Sequence, residues 1–252
     1  MGLLKIVNRS GNSPQWMSAE TCDFTPGDDA DIWRLNISLN SPLLEDFKLI
    51  LSHGEIDRAN RYLQEKDSTR FIVSRGGLRR ILGMYLNTPP AAIELAESKN
   101  KKPFIVNPGD TGLYYNVSHS NNWIVIAIAN SEIGIDTEFV DSNLDYLEII
   151  SDVFSPDEVD YIKQGNSSKL FFTLWTRKEA LIKATGQGMD ENFKAIPCVD
   201  GDHVMTDKIV SSDSNWLITS LELDENYLAS VATNSTLREI RFWNADFRQG
   251  LL

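Results

Sequence analysis

Apolar and polar residues alternate over 32–39, with Trp33, Leu35, Ile37 and Leu39 against Ile32, Arg34, Asn36 and Ser38, which predicts a strand. Ser41 and Pro42 then supply an N-cap and a first-turn proline for a short helix to about residue 51, with a second helix over 55–64. Phe71, Leu78, Ile81, Leu82, Tyr85 and Leu86 form one stripe of a longer helix over 68–86, closed by Pro89 and Pro90. Apolar runs predict strands near 93–97, 104–106, 113–117, 123–129 and 133–138. Helices follow over 144–153, 156–163 and 169–184. The middle one opens on the capping box Ser155-Pro156-Asp157-Glu158, and the last stops at Thr185-Gly186-Gln187-Gly188. Three later strands fall near 216–223, 227–233 and 239–243, while residues 8–30 carry no period and predict an irregular lead-in.

Strand, helices and strands, followed by strand, helices and strands again, describe an α+β protein of two halves with similar plan. The halves meet near 130–133, giving domains of 1–132 and 133–252. No repeat is visible in residue identity, so the duplication is read from element order alone.

Composition narrows the function. A chain of 252 residues, 42% hydrophobic and 24% charged, has enough apolar surface for a substantial core. Its net charge of -12 argues against a nucleic-acid partner, which calls for a basic surface. Cys22 and Cys198 are the only cysteines and lack metal-ligand spacing, as in a reduced cytoplasmic protein. Residues 1–7 are too short an apolar run for a signal peptide, and nothing approaches a membrane span. A soluble, cytoplasmic protein with no membrane partner is expected.

Chemistry concentrates at two spacings. Asp136 and Glu138 lie two apart at the end of a β-prone stretch, so both leave the same face of a strand. Glu179 and Lys183 lie four apart on a helical segment and share its face, with Trp175 one turn earlier. Alone, each has an ordinary reading: a solvated strand end, a helix-stabilising surface pair, and a core tryptophan. Together they offer three oxygen ligands beside a cation, which suits Mg²⁺ and phosphoryl-type transfer. Asn116-Val117-Ser118-His119-Ser120 adds hydroxyl and imidazole donors at a strand-to-turn junction, and Lys101-Lys102-Pro103 adds cations. Arg58 and the helix arginines Arg70, Arg75, Arg79 and Arg80 would place a basic first half against the acidic motif, flanking one phosphate-rich ligand.

These blocks, Gly134-Ile135-Asp136-Thr137-Glu138 and Trp175-Thr176-Arg177-Lys178-Glu179 through Lys183, with the Asn116 and Lys101 segments before them, resemble the surfactin-synthetase-type (Sfp-type) 4′-phosphopantetheinyl transferases. The run from Arg58 to Leu82 resembles that family's first-half helix, so the likeness spans about residues 55–185. The resemblance implies a monomer of two pseudo-symmetric α+β halves with coenzyme A in the cleft between them. It implies an Mg²⁺-dependent holo-[acyl-carrier-protein] synthase that moves phosphopantetheine onto a serine of an apo acyl, aryl or peptidyl carrier protein and releases adenosine 3′,5′-bisphosphate. Asp136, Glu138 and Glu179 take the metal-ligand positions, with Asp136 also counted among the coenzyme A contacts. Lys183 takes the position that contacts the transferred phosphate or the leaving group. Ser118 and His119 take positions at the nucleotide end, and Lys102 that of the lysine in the family's Gly-Lys-Pro motif. Glu158 falls at an acidic position sometimes assigned as the base. Glu179, Glu158 and a metal-bound water remain open as acceptors of the serine proton.

Two positions depart from the pattern. Lys101 stands where glycine is common, and Glu55 stands where some members have a lysine for the 3′-phosphate, which shifts that contact toward Arg58 and Arg70. The competing reading is a catalytically inactive carrier-protein or nucleotide-binding homologue. The complete set of Asp136, Glu138, Glu179 and Lys183 argues against it. A P-loop enzyme is excluded because Gly76-Gly77 lacks the required spacing.

Overall fold

The unbroken apolar run of residues 123–129 belongs to a strand buried on both faces. A computed structural model describes residues 2–9, 13–109, 111–165, 168–206, 209–210, 212, 214–234 and 236–249. The strands are β1 (Gly2–Asn8), β2 (Met17–Ser18), β3 (Ala30–Asn36), β4 (Glu94–Glu97), β5 (Pro103–Asn107), β6 (Tyr114–Ser120), β7 (Trp123–Ala129), β8 (Ile133–Phe139), β9 (Gly201–Met205), β10 (Trp216–Asp224), β11 (Tyr227–Asn234) and β12 (Ile240–Asn244). The α-helices are α1 (Ile37–Asn40), α2 (Leu44–Lys48), α3 (His53–Asn60), α4 (Glu65–Leu86), α5 (Ile150–Val153), α6 (Pro156–Gly165) and α7 (Ser168–Thr185).

Two five-stranded sheets carry the fold, in the orders β2-β12-β3-β7-β6 and β8-β11-β10-β1-β9. Alternate side chains of the first sheet face opposite ways. Trp33, Leu35, Ile124, Ile126 and Ile128 pack with α4 residues such as Leu78 and Ile81. Ala30, Ile32, Val125, Ala127 and Ala129 instead meet Ile133, Ile135, Leu221 and Val231 of the second sheet. The second sheet's other face, with Ile218 and Ala232, packs on Ala180, Leu181 and Ala184 of α7. The layers therefore run α4, sheet, sheet, α7.

Each half repeats one plan. A lead strand is followed by a long helix and then a hairpin whose second strand returns antiparallel to the lead: β3, α4, β6 and β7, then β8, α7, β10 and β11. The chain ends cross over. β1 pairs parallel to β10 in the second sheet, while β12 pairs parallel to β3 in the first. Sheet membership thus does not follow a cut after residue 132.

Several local expectations shift for identifiable reasons. The strand expected over 32–39 stops at Asn36 because that side chain accepts the Leu39 N–H at 3.1 Å and caps α1. The helix expected over 144–153 shrinks to α5 and one 3-10 turn. There Asp141 accepts from the Asn143 N–H at 2.8 Å and Asp145 from the Leu147 N–H at 3.2 Å, so side chains compete for helical donors. The capping box at Ser155 and Glu158 forms as read. The lead-in of 8–30 includes β2, and residues 10–12 of it lie outside the described residues.

Candidate active site

Gly134, Asp136 and Glu138 share one face of β8, and α7 lies on that face. A Cβ on Gly134 would run into the Ala180 carbonyl and the Ala184 nitrogen, so this glycine permits backbone-close packing of helix on strand. That approach sets the β8 carboxylates opposite Glu179 and Lys183. Lys183 Nζ stands 2.6 Å from Asp136 Oδ1, which also accepts the Ser118 hydroxyl at 2.8 Å. Asp136 is 3% exposed, and its Oδ2 is buried without a hydrogen-bond partner among the described residues. Glu138 Oε2 accepts the Ser120 hydroxyl at 2.9 Å. Burial first, and then the Asp136 charge, push both Glu138 and Glu179 up to about 7.

An orphaned carboxylate oxygen and two further carboxyls crowded against it fit a hard divalent cation. Among the described residues, no three histidine, cysteine, aspartate or glutamate side chains come together closely enough to hold a metal ion by themselves. A Mg²⁺ site completed by waters and substrate phosphates needs no such grouping.

Beside this cluster opens a cavity of about 260 Å³, lined by Arg58, Arg70, Arg75, Lys101, His119 and Lys183, with Tyr62, Phe71 and Tyr115 also on its walls. Glu97 approaches two of its cations, at 3.6 Å from Arg75 and 4.0 Å from Arg58. The Tyr115 hydroxyl is buried without a hydrogen-bond partner among the described residues, and burial pushes it up to about 12. Desolvation, then Arg70, lowers the His119 imidazole below its usual value. Lys101 adopts φ +63, the left-handed region that favours glycine.

Other expected site residues are committed to protein partners, some of them within the site. Both carboxylate oxygens of Glu158 are occupied. Its Oε2 accepts from Lys178 Nζ and the Ser155 N–H at 2.9 Å each, and its Oε1 accepts from the Cys198 N–H and thiol at 3.1 and 3.0 Å. Lys102 reaches Glu132 at 2.9 Å and the Ala184 carbonyl at 2.6 Å, clamping its loop to the end of α7 rather than lining the arginine cavity. Ser118 is 6% exposed and spends its hydroxyl on Asp136, the Thr137 N–H and Lys183. Arg79 is buried against Glu55, and Arg80 lies over Phe47 and Phe247, so neither joins Arg70 and Arg75. Glu55 caps α3 instead of facing the cavity. Sequence reasoning left Tyr115 out of the site, and it named Arg75 and Ser120 only as members of a basic helix and a donor segment, without a role of their own. For Ser120, the signal was the two-residue recurrence of Asn116, Ser118 and Ser120, which puts all three on one face of a strand.

A two-repeat α+β fold with a cation-lined cavity beside an acidic cluster suits a transferase acting on a phosphorylated substrate. The sequence comparisons are more specific. The family model described as the 4′-phosphopantetheinyl transferase superfamily matches residues 132–232, and that of the 4′-phosphopantetheinyl transferase N-terminal region matches 41–131. The 4′-phosphopantetheinyl transferase HetI of a Nostoc species is 30% identical over 225 residues, covering 86% of this chain and 92% of that protein. The transferase gsp of Aneurinibacillus migulanus is 36% identical over 132 residues, covering 51% and 53%. Sfp of Bacillus subtilis is 25% identical over 193 residues, covering 74% and 84%. The chain belongs to the 4′-phosphopantetheinyl transferase family. No helix among the described residues is long and apolar enough to cross a membrane.

Proposed function

We propose that the chain takes phosphopantetheine from coenzyme A and places it on a serine of an apo carrier protein, working as a single polypeptide. One observation carries the placement of the donor. Lys183 and Lys101 line both the arginine cavity and a neighbouring cleft of about 270 Å³ that contains Glu179, so the two spaces adjoin. The adenosine 3′,5′-bisphosphate end then lies among Arg58, Arg70, Arg75, Lys101 and His119, with its pyrophosphate beside Lys183.

The carrier serine attacks the pantetheine-side phosphorus. A new P–O bond forms, the bond to the bridging pyrophosphate oxygen breaks, and adenosine 3′,5′-bisphosphate leaves. Lys183 can neutralise the leaving oxygen. Glu179 is the carboxylate left to accept the serine proton, because Glu158 is committed to Lys178 and Cys198. Asp136, Glu138 and Glu179 would hold Mg²⁺, which when bound lowers the charge repulsion on the pyrophosphate. Exposed Leu144, Leu147 and Ile149 offer the carrier an apolar landing next to these motifs, whereas Ile150 of the same segment is core.

The test is intact-mass measurement of apo acyl, aryl and peptidyl carrier proteins after incubation with coenzyme A and Mg²⁺. At least one carrier should gain a single phosphopantetheine, and excess EDTA should prevent it. No modification of any carrier in the panel overturns the reading.

A further inference from the structure

The two sheets meet at β6 and β8, which are edge strands of their own sheets. Edge strands carry unpaired backbone groups, and here side chains take the place of a partner's backbone. The Ile135 N–H donates to Asn116 Oδ1 at 3.1 Å, the Thr137 N–H to Ser118 Oγ at 3.3 Å, and the Phe139 N–H to Ser120 Oγ at 3.0 Å. The offset is constant at nineteen residues, so the contacts form a parallel ladder made by one face of β6.

Two rungs do more than join sheets. A hydroxyl that accepts a backbone N–H still has a proton to donate. Ser118 gives its proton to Asp136 at 2.8 Å and Ser120 gives its proton to Glu138 at 2.9 Å. The hydrogen bond that Asn116 makes to β8 is to backbone, and Asn116 accepts it without a carboxylate partner of the kind Ser118 and Ser120 have. Asp136 also has Lys183 to fix it, whereas the Ser120 hydroxyl is the group seen holding the Glu138 carboxylate.

We propose that Ser120 is a positioning residue of the transfer site. It aims the Glu138 carboxylate toward the metal position while its oxygen locks the β8 backbone, so the joint between the halves and the orientation of the ligand are set by one hydroxyl. This rests on Glu138 being a metal ligand, as proposed above. Removing a hydrogen bond that orients a ligand typically costs about 10–100-fold in metal affinity or activity.

The test compares Ser120→Ala, Ser120→Thr and Asn116→Ala. It reads Mn²⁺ binding to the free enzyme by electron paramagnetic resonance, thermal unfolding, and the kcat and KM of transfer. Ser120→Ala should weaken Mn²⁺ binding and lower kcat, each by about tenfold or more, with little change in the KM for coenzyme A. Ser120→Thr keeps the hydroxyl and should recover most of both. Asn116→Ala removes a rung without touching a carboxylate, so it should lower the unfolding temperature and leave Mn²⁺ affinity near wild type. Equal losses of Mn²⁺ affinity in Ser120→Ala and Asn116→Ala would reduce Ser120 to a structural rung and overturn the proposal, as would no rescue by threonine. Mn²⁺ that does not bind the wild type also overturns it. A wild type that binds Mn²⁺ but modifies no carrier instead sinks the transferase assignment and leaves the ladder comparison readable.

Discussion

Helices α4 and α7 hold equivalent places in the two repeats, yet they spend their charges differently. On α7 the adjacent Arg177 and Lys178 are buried and saturated. Arg177 reaches Ser220, the Cys198 carbonyl and Asp200, while Lys178 reaches Glu158 and the Val153 and Lys194 carbonyls. Its neighbours Glu179 and Lys183 are half-buried and open onto the cleft. On α4 the saturated charge is Arg79, bound to Glu55 and two carbonyls, while Arg70 and Arg75 line the cavity. Full satisfaction of a buried charge marks architecture, and charges left facing a cavity mark chemistry. The repeats differ in sign: the first presents cations to the site and the second presents mainly carboxylates. On the proposed function, binding the anionic donor would belong to α4, and the reacting end to β8 and α7.

The largest expected effect tests the reacting end. Asp136→Ala, Glu138→Ala and Glu179→Ala should each lower transfer by about 10³-fold or more, since a lost cation site removes several kcal/mol of charge stabilisation. The unfolding temperatures of Glu138→Ala and Glu179→Ala should stay near wild type or rise, because each removes a crowded carboxylate, whereas Asp136→Ala also strips Lys183 and Ser118 of their buried partner and should lower it. Full activity in any two of the three at limiting Mg²⁺ would remove the acidic cluster from the chemistry.

The architectural charges should behave in the opposite way. Lys178→Ala leaves Glu158 buried without its cation, a change that typically costs about 3–5 kcal/mol. Denaturant unfolding should show a loss of that size. Glu158→Gln, which keeps most of the shape, should retain much of the activity in whatever fraction folds. A Glu158→Gln protein that is well folded yet inert would return Glu158 to the role of base.

Much of this was legible in the sequence. The two-residue spacing of Asp136 and Glu138 and the four-residue spacing of Glu179 and Lys183 each specify a shared face. The apolar run at 123–129 marks a strand buried on both sides. The full set of Glu158 partners was not legible because one glutamate satisfies a capping box and a buried lysine together, and only the capping box is local in sequence. Lys102 and Ser118 lie at the expected junctions, but their polar atoms are claimed by partners 82 and 18 residues away. β1 escaped notice because its partners, β10 and β9, lie about 200 residues downstream, and a seven-residue apolar stretch carries little signal of its own.

The smallest effects sharpen the α4 side. Arg75 and Arg58 approach Glu97 at 3.6 and 4.0 Å, so in the free protein a carboxylate shares the cations that a phosphate would use. Arg75→Ala should weaken coenzyme A binding by about tenfold, the worth of one charge-assisted contact. The loss should be smaller for dephospho-coenzyme A if Arg75 faces the 3′-phosphate. Glu97→Gln should act in reverse. It removes a competing anion, but Glu97 is 43% exposed, so solvent screens the pair and the gain should be only about two- to threefold. Isothermal titration with adenosine 3′,5′-bisphosphate reads both changes without a carrier or transfer. Raising the salt should shrink the Glu97→Gln gain further, because screening already weakens the contact it releases. Weaker binding in Glu97→Gln would mean that the carboxylate holds the arginines in place for the ligand rather than competing with it. The cation side of the comparison would then depend on an acid of its own, as the reacting side depends on Lys183.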